Sequence, residues 1–193
     1  MARKRITLGL ILAVAMLVAG CGGSGGGNTG TTDVRSDKDA DVELLNGVLS
    51  RQLGAVGAYE RTLSGLRGRD ETWARQFRAQ EQEHAEAILK VLRALGGEAD
   101  AEPEEIDLAE MSSRADRVAF LYELEGATID YELSIVAQLT EPWPRSLLSS
   151  TVANQAQHRL ILRQLLGERG VEAIPEAFED GSELTLVPPT GKG

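Results

Sequence analysis

The chain has 193 residues, a formal net charge of −10, one cysteine and two histidines. This acidic balance disfavours nucleic acid or anionic lipid as the main partner, and a lone cysteine excludes an internal disulfide. Imidazole chemistry is confined to two positions, His84 and His158.

Residues 1–20 read as a targeting signal. Arg3, Lys4 and Arg5 precede an apolar run from Ile6 to Ala19, 14 residues long. A transmembrane helix needs about 20 apolar residues, so the run suits secretion better than spanning. It ends Val18-Ala19-Gly20-Cys21, a pattern resembling the bacterial lipoprotein lipobox, in which Cys21 would carry the lipid. Loss of the three cations with the signal takes the formal charge to −13. Residues 21–38 are polar and begin with six glycines and serines after Cys21, the composition of a flexible tether. The expected location is therefore the outer face of a bacterial membrane, in the cell envelope.

Residues 39–167 carry four helical apolar seams, and the expected fold class is all-α. The first, from about Asp39 to Ser64, aligns Leu45, Leu49, Gln52, Val56, Tyr59 and Leu63. The second, from about Asp70 to Leu95, aligns Trp73, Phe77, Glu81, His84, Ile88 and Val91, with Trp73 expected as a core anchor. The third should start at Ser113, whose Ser-x-x-Asp step to Asp116 resembles a capping box, and run to about Leu139. The fourth, from about Ser146 to Leu166, aligns Leu148, Thr151, Gln155, His158, Leu162 and Leu165, with Gly167 as its stop. Trp143, between Pro142 and Pro144, is expected to plug the turn before it.

The connections set the topology. Short links after the first and third helices predict two antiparallel hairpins. The stretch from Gly96 to Ser112 is 17 residues long. Extended, it reaches on the order of 50 Å, more than the roughly 39 Å of a 26-residue helix, so it can cross the length of a bundle. One long crossover makes the second and fourth helices antiparallel. A weak repeat agrees: Gly54-Ala55 and Tyr59-Glu60 match Gly126-Ala127 and Tyr131-Glu132 at an offset of 72, and the histidines are offset by 74. Residues 168–193 form a tail in which Ile174, Phe178, Leu184, Leu186 and Val187 could pack across the helices.

The histidines sit in two related tetrads, Glu81-Gln82-Glu83-His84 and Gln155-Ala156-Gln157-His158. A Glu-x-x-His step puts a carboxylate and an imidazole on one helix face, where both can reach one metal in a bundle core. Over about Asp39 to Gly167 these residues resemble the ferritin-like superfamily, in particular its small exported bacterial members. The resemblance implies a ferritin-like four-helix bundle with one long crossover between helices two and three. It also implies a metal site in which Glu81 and His84 fill the second-helix places, Glu125 the third and His158 the fourth. The departures are Gln155, where the family has a bridging Glu, and Gln52, which precedes Tyr59 by seven residues as the family's first-helix Glu does.

Charge separates the nuclearities. Two divalent ions bring four positive charges into a poorly solvated core against two from Glu81 and Glu125, an imbalance that costs several kcal/mol. One ion is neutralised. Glu60 and Glu132 are reserves, since either could face inward and restore charge. The expected cofactor is iron, with zinc or manganese as alternatives, held by Glu81, His84, Glu125 and His158. The competing expectation is a metal-free scaffold, a non-catalytic envelope protein whose carboxylates, imidazoles and amides satisfy one another. No protein partner is legible, and a lipid tether suits a monomer or dimer better than a cage.

Overall fold

The computed structural model describes residues 32–108 and 111–174. The signal segment, Cys21 and the tail residues beyond Ile174 lie outside them. The elements are α1 (Thr32–Leu63), α2 (Gly68–Leu95), α3 (Arg114–Val136), α4 (Pro142–Leu166) and a single 3₁₀ turn at Gly170–Ala173. The four-helix, all-α architecture is the one the seams predict.

The helix ends follow local chemistry. The Ser113 hydroxyl accepts the Asp116 N–H at 3.1 Å, and the Asp116 carboxylate accepts the Ser113 N–H at 2.7 Å, closing the capping box that fixes the start of α3. Gly96 (φ 80°) and Gly167 (φ 111°) stop α2 and α4 in the left-handed region. Helix α4 begins at Pro142, four residues before the predicted Ser146, because proline is suited to a first helical turn where its missing N–H has no partner to lose. Trp143 therefore lies on that turn, 42% exposed, and does not plug it. Helix α1 begins at Thr32, seven residues early, so the last part of the predicted tether is helical; no glycine or proline interrupts the chain between Gly30 and Gly47. Residues 37–40 are all exposed, and Asp41, which follows them, is buried.

Two clamps define the topology. The buried Asp41 carboxylate accepts the Thr140 N–H (2.8 Å), the Thr140 hydroxyl (3.0 Å) and the Glu141 N–H (2.9 Å). The start of α1 is thus tied to the turn between α3 and α4. At the opposite end Arg114, opening α3, binds the Asp70 carboxylate at the start of α2 and the Leu165 carbonyl at the end of α4. Helices α2 and α4 are accordingly antiparallel, and the connection from Gly96 to Ser113 runs the length of the bundle.

That crossover is latched onto α1. The Asp100 N–H donates to the Asn46 side chain (3.0 Å), the Ser50 hydroxyl to the Glu102 carbonyl (2.6 Å) and the Glu104 N–H to the Ser50 carbonyl (2.9 Å). Arg51 reaches the Glu104 carboxylate at 2.8 Å while its guanidinium lies over the Tyr131 ring. Gly54 makes the close approach possible: a Cβ there would stand 2.7 Å from the Glu104 carbonyl oxygen. Alanine at an open helical site stabilises by up to about 1 kcal/mol over glycine. Gly54→Ala is expected to reverse that sign and destabilise by about 1–3 kcal/mol in urea unfolding, since the backbone of the crossover must shift. Gly57→Ala, whose Cβ would meet only the end of the Arg61 side chain at 3.4 Å, is the control expected to be neutral or stabilising.

The core is two apolar clusters. One gathers Tyr59, Leu66, Phe77, Leu121, Leu124 and Leu162; the other gathers Leu45, Leu49, Ile88, Leu92, Ile135 and Leu148. Between them on the four seams lies a buried polar layer of Gln52, Glu81, Glu125, Glu132, Thr151, Gln155 and His158.

Candidate metal centre

Every helix contributes to this layer. Helix α1 supplies Gln52 and Tyr59, α2 supplies Glu81 and His84, α3 supplies Glu125 and Glu132, and α4 supplies Thr151, Gln155 and His158. Glu81, Glu125 and His158 come closest: one donor atom from each lies within 4.8 Å of the other two, and all three residues are buried. His158 Nδ1 stands 3.0 Å from Glu125 Oε1 and 3.3 Å from Glu81 Oε1.

His158 is oriented from behind. Its Nε2–H donates to Gln80 Oε1 at 2.8 Å, and its ring stacks on Phe77 with centroids 4.1 Å apart. Fixing the proton on Nε2 aims the Nδ1 lone pair at the two carboxylates whenever the ring is neutral. The Tyr59 hydroxyl donates to Glu125 in a short bond, and burial beside Glu125 keeps its pKa well above the ordinary value. Gln155 donates weakly to Glu81 Oε2, at 3.4 Å.

The predicted ligand His84 is in the layer but does not join the closest trio. Its Nδ1 lies 3.3 Å from Glu81 Oε2, and its side chain keeps 13% exposure. The reserves separate clearly. Glu132 points inward, fully buried, accepting from the Gln52 amide at 2.5 Å and in a short bond from the Thr151 hydroxyl. Glu60 points to solvent, 3.5 Å from Arg78. Gln80 and Thr151 have roles in the layer that the seams do not reveal; Gln80 lies off the α2 stripe and meets His158 only through interhelical packing.

The electrostatics follow from burial. Burial alone would raise Glu81, but hydrogen bonds from His158 and His84 outweigh it and hold the carboxyl at about 2. Burial would lower His158, yet Glu125 and Glu81 raise it to about 9. Glu125 is raised by burial and by the charge on Glu81. Glu132 is raised by burial to about 7 against the bonds from Thr151 and Gln52. Without metal the trio is thus an imidazolium held between two carboxyl groups.

The layer is nevertheless short of donors. Glu125 Oε2, Gln52 Oε1 and Gln155 Oε1 are buried and accept no hydrogen bond among the described residues, and Glu81 Oε1 has only the 3.3 Å approach of His158 Nδ1. Buried acceptors without donors are costly, and a cation satisfies several at once. Two carboxylates and one imidazole fit a single divalent first-row metal in both ligand type and charge. The same set fits two ions poorly, because amides stand at positions 52 and 155 and Glu132 is engaged by Gln52 and Thr151.

The model of the ferritin-like domain matches residues 41–168. Three solved structures share the fold. A ferritin-like, diiron-carboxylate protein from Bacillus anthracis strain Ames is 21% identical, with 68% of this chain and 98% of that one covered at a TM-score of 0.59. A conserved hypothetical protein from Mycobacterium tuberculosis is 17% identical, with 74% and 99% covered at 0.63. The bacterioferritin of Desulfovibrio desulfuricans, described with a diiron site, is 17% identical, with 70% and 83% covered at 0.62. No curated protein matches the chain.

Proposed function

The chain belongs to the ferritin-like domain family, and from that premise we propose that it is an exported, lipid-anchored protein holding one divalent metal ion between Glu81, Glu125 and His158. The observation that carries this reading is the set of buried acceptor oxygens without donors around a close carboxylate–carboxylate–imidazole trio. Iron is favoured because fold neighbours are described as diiron proteins; zinc and manganese suit the same donors. Bound iron or manganese would supply redox chemistry, and zinc would supply Lewis acidity.

The chain's own residues have distinct tasks. Glu81 and Glu125 neutralise the charge, and His158 gives up a proton from Nδ1 to offer its lone pair. Gln80 holds the opposite side of that ring, and Tyr59 fixes the Glu125 carboxylate. His84 restrains Glu81 from the half-buried side. A second reading, a metal-free envelope scaffold, draws on the His158 imidazolium, which already pairs with both carboxyl groups.

Metal analysis by plasma mass spectrometry on protein purified without chelator separates the two. About one metal per chain is expected, lost in Glu81→Gln and in His158→Ala. Gln52→Glu with Gln155→Glu should raise the content above one. A wild-type chain that stays folded yet takes up no iron, zinc or manganese would establish the scaffold reading instead. The anchor is tested by Cys21→Ser, which should move the protein from the membrane fraction to the soluble one.

A further inference from the structure

The charge of the chain is unevenly placed. The start of α1 and the first half of the crossover carry Asp37, Asp39, Glu43, Glu98, Asp100 and Glu102, and Asn46 and Ser50 tie these two segments together. The opposite end of the bundle, where α1 turns into α2, α3 begins and α4 ends, is cationic instead. A cleft of about 450 Å³ there is flanked by Arg69 of α2 and by Arg169, just beyond α4. Arg67 lies in the turn beside it, donating to the Ser64 and Leu66 carbonyls, and the Arg117 guanidinium packs against Gly65 in the same turn. These four cations pair with no carboxylate among the described residues. The acidic neighbours are already engaged: Asp70 by Arg114, Glu71 by Arg75, Glu168 by Arg163 and Asp116 by the capping box. Glu172, exposed on the 3₁₀ turn, offsets one of the four.

Exposed aliphatic side chains share this tip. Val171 is 81% exposed, Ile174 58% and Leu166 37%, whereas Ala173 is buried and pins the 3₁₀ turn to the bundle. The guanidinium groups call for an anionic partner and the aliphatic ones for an apolar partner. A soluble polyanion would leave Val171 and Ile174 in water. A purely apolar protein face would strip hydration from the arginines and return no charge. An anionic lipid surface answers both, with headgroup phosphates at the arginines and the acyl boundary at Val171 and Ile174. The acidic end does not cancel this attraction, because it stands several Debye lengths away, each about 8 Å at physiological salt.

We propose that the arginine-rich tip of the bundle docks on the surface of an anionic lipid bilayer, with Val171 and Ile174 entering the headgroup layer. The tip lies at the far end of α1 from Thr32, roughly 48 Å away along its 32 residues. It is a contact separate from the lipid proposed at Cys21, and it stands with or without the metal centre.

The test is sedimentation of Cys21→Ser protein, which carries no lipid, with phosphatidylcholine vesicles containing or lacking phosphatidylglycerol. Binding to the anionic vesicles is expected, weaker by about tenfold or more to phosphatidylcholine alone and reversed by high salt. Because high salt releases it, a high-salt wash still separates Cys21→Ser protein from a lipidated chain. Arg169→Glu should weaken vesicle binding by about tenfold, while Lys90→Glu, an equal change of net charge on an exposed position of α2, should cost about twofold at most. Val171→Ser should weaken it several-fold through the lost apolar contact. Absence of binding to the phosphatidylglycerol vesicles overturns the proposal. Equal binding to both vesicle types, or equal losses in Arg169→Glu and Lys90→Glu, overturns it too. Capture of soluble inorganic polyphosphate, unchanged in Val171→Ser and without vesicle binding, would put a soluble polyanion in place of the lipid.

Discussion

His158→Leu is expected to destabilise the metal-free chain by about 3–5 kcal/mol in urea unfolding at pH 6, the usual cost of removing one partner from a buried charge cluster. The leucine preserves apolar volume against Phe77 but removes the cation that stands 3.0 Å from Glu125 and 3.3 Å from Glu81. Both carboxyl groups remain buried, with His84 as the nearest compensating imidazole for Glu81. Adding Glu125→Gln to His158→Leu should recover a large part of the loss, because one charge then leaves with its partner. A cost below about 1 kcal/mol for His158→Leu alone would mean that the imidazole is neutral in the metal-free protein, contrary to the geometry around Nδ1.

The stability of the metal-free protein should be greatest near pH 4.5 and fall on both sides, toward neutral pH first as Glu132 ionises and then as His158 loses its proton. The His158 imidazolium, raised from 6.5 to about 9, contributes fully below pH 6.5, and its contribution is lost as pH rises through about 9. The Glu81 carboxylate, lowered from 4.5 to about 2, contributes fully above pH 4.5 and is lost as pH falls through about 2. Glu132, raised from 4.5 to about 7, favours the folded state when protonated, so its contribution is complete below pH 4.5 and fades as pH rises through about 7. Between pH 6 and pH 9.5 the expected loss is about 4–5 kcal/mol, about 3 from His158 and the rest from Glu132, on the basis of about 1.4 kcal/mol per pKa unit. Metal should invert the alkaline limb. Coordination requires a bare Nδ1, so affinity should rise with pH by up to about tenfold per unit until His158 is neutral, releasing about one proton per ion. Thermal unfolding across pH, with and without metal, reads both effects. A metal-free profile flat from pH 6 to 9.5 would refute the imidazolium.

Much of the fold was legible because local chemistry and seam geometry agreed. Ser113 and Gly167 marked helix ends through caps whose chemistry does not depend on the rest of the chain. The length from Gly96 to Ser112 fixed the direction of α4 relative to α2. Helix starts were harder: Pro142 and Pro144 read as a turn, although a first helical turn accepts both. Within the site, Glu81, His84, Gln155 and His158 followed from spacing, and Glu125 was chosen through the family resemblance. Glu60 and Glu132 were indistinguishable in sequence, occupying matching places in the repeat. Their fates differ because a small rotation of each helix decides which flank meets the core, and that rotation is set by partners far along the chain. Gln80 was invisible for a related reason, since its role depends on a histidine 78 positions away.

The opening turns of α1 and the Asp41 clamp give the bundle a mechanical entry point. The nine residues from Thr32 to Ala40 form a helical stretch of roughly 13 Å ahead of the buried Asp41. A pull on the chain ahead of Thr32 would travel down that stretch and meet three hydrogen bonds converging on one carboxylate. Sharing the load among them favours joint rupture over one-at-a-time peeling, and it passes strain to the turn between α3 and α4 before it reaches Gln52, nearly two turns beyond Asn46. The bundle would thus resist being tugged at its root while the polar layer stays undisturbed.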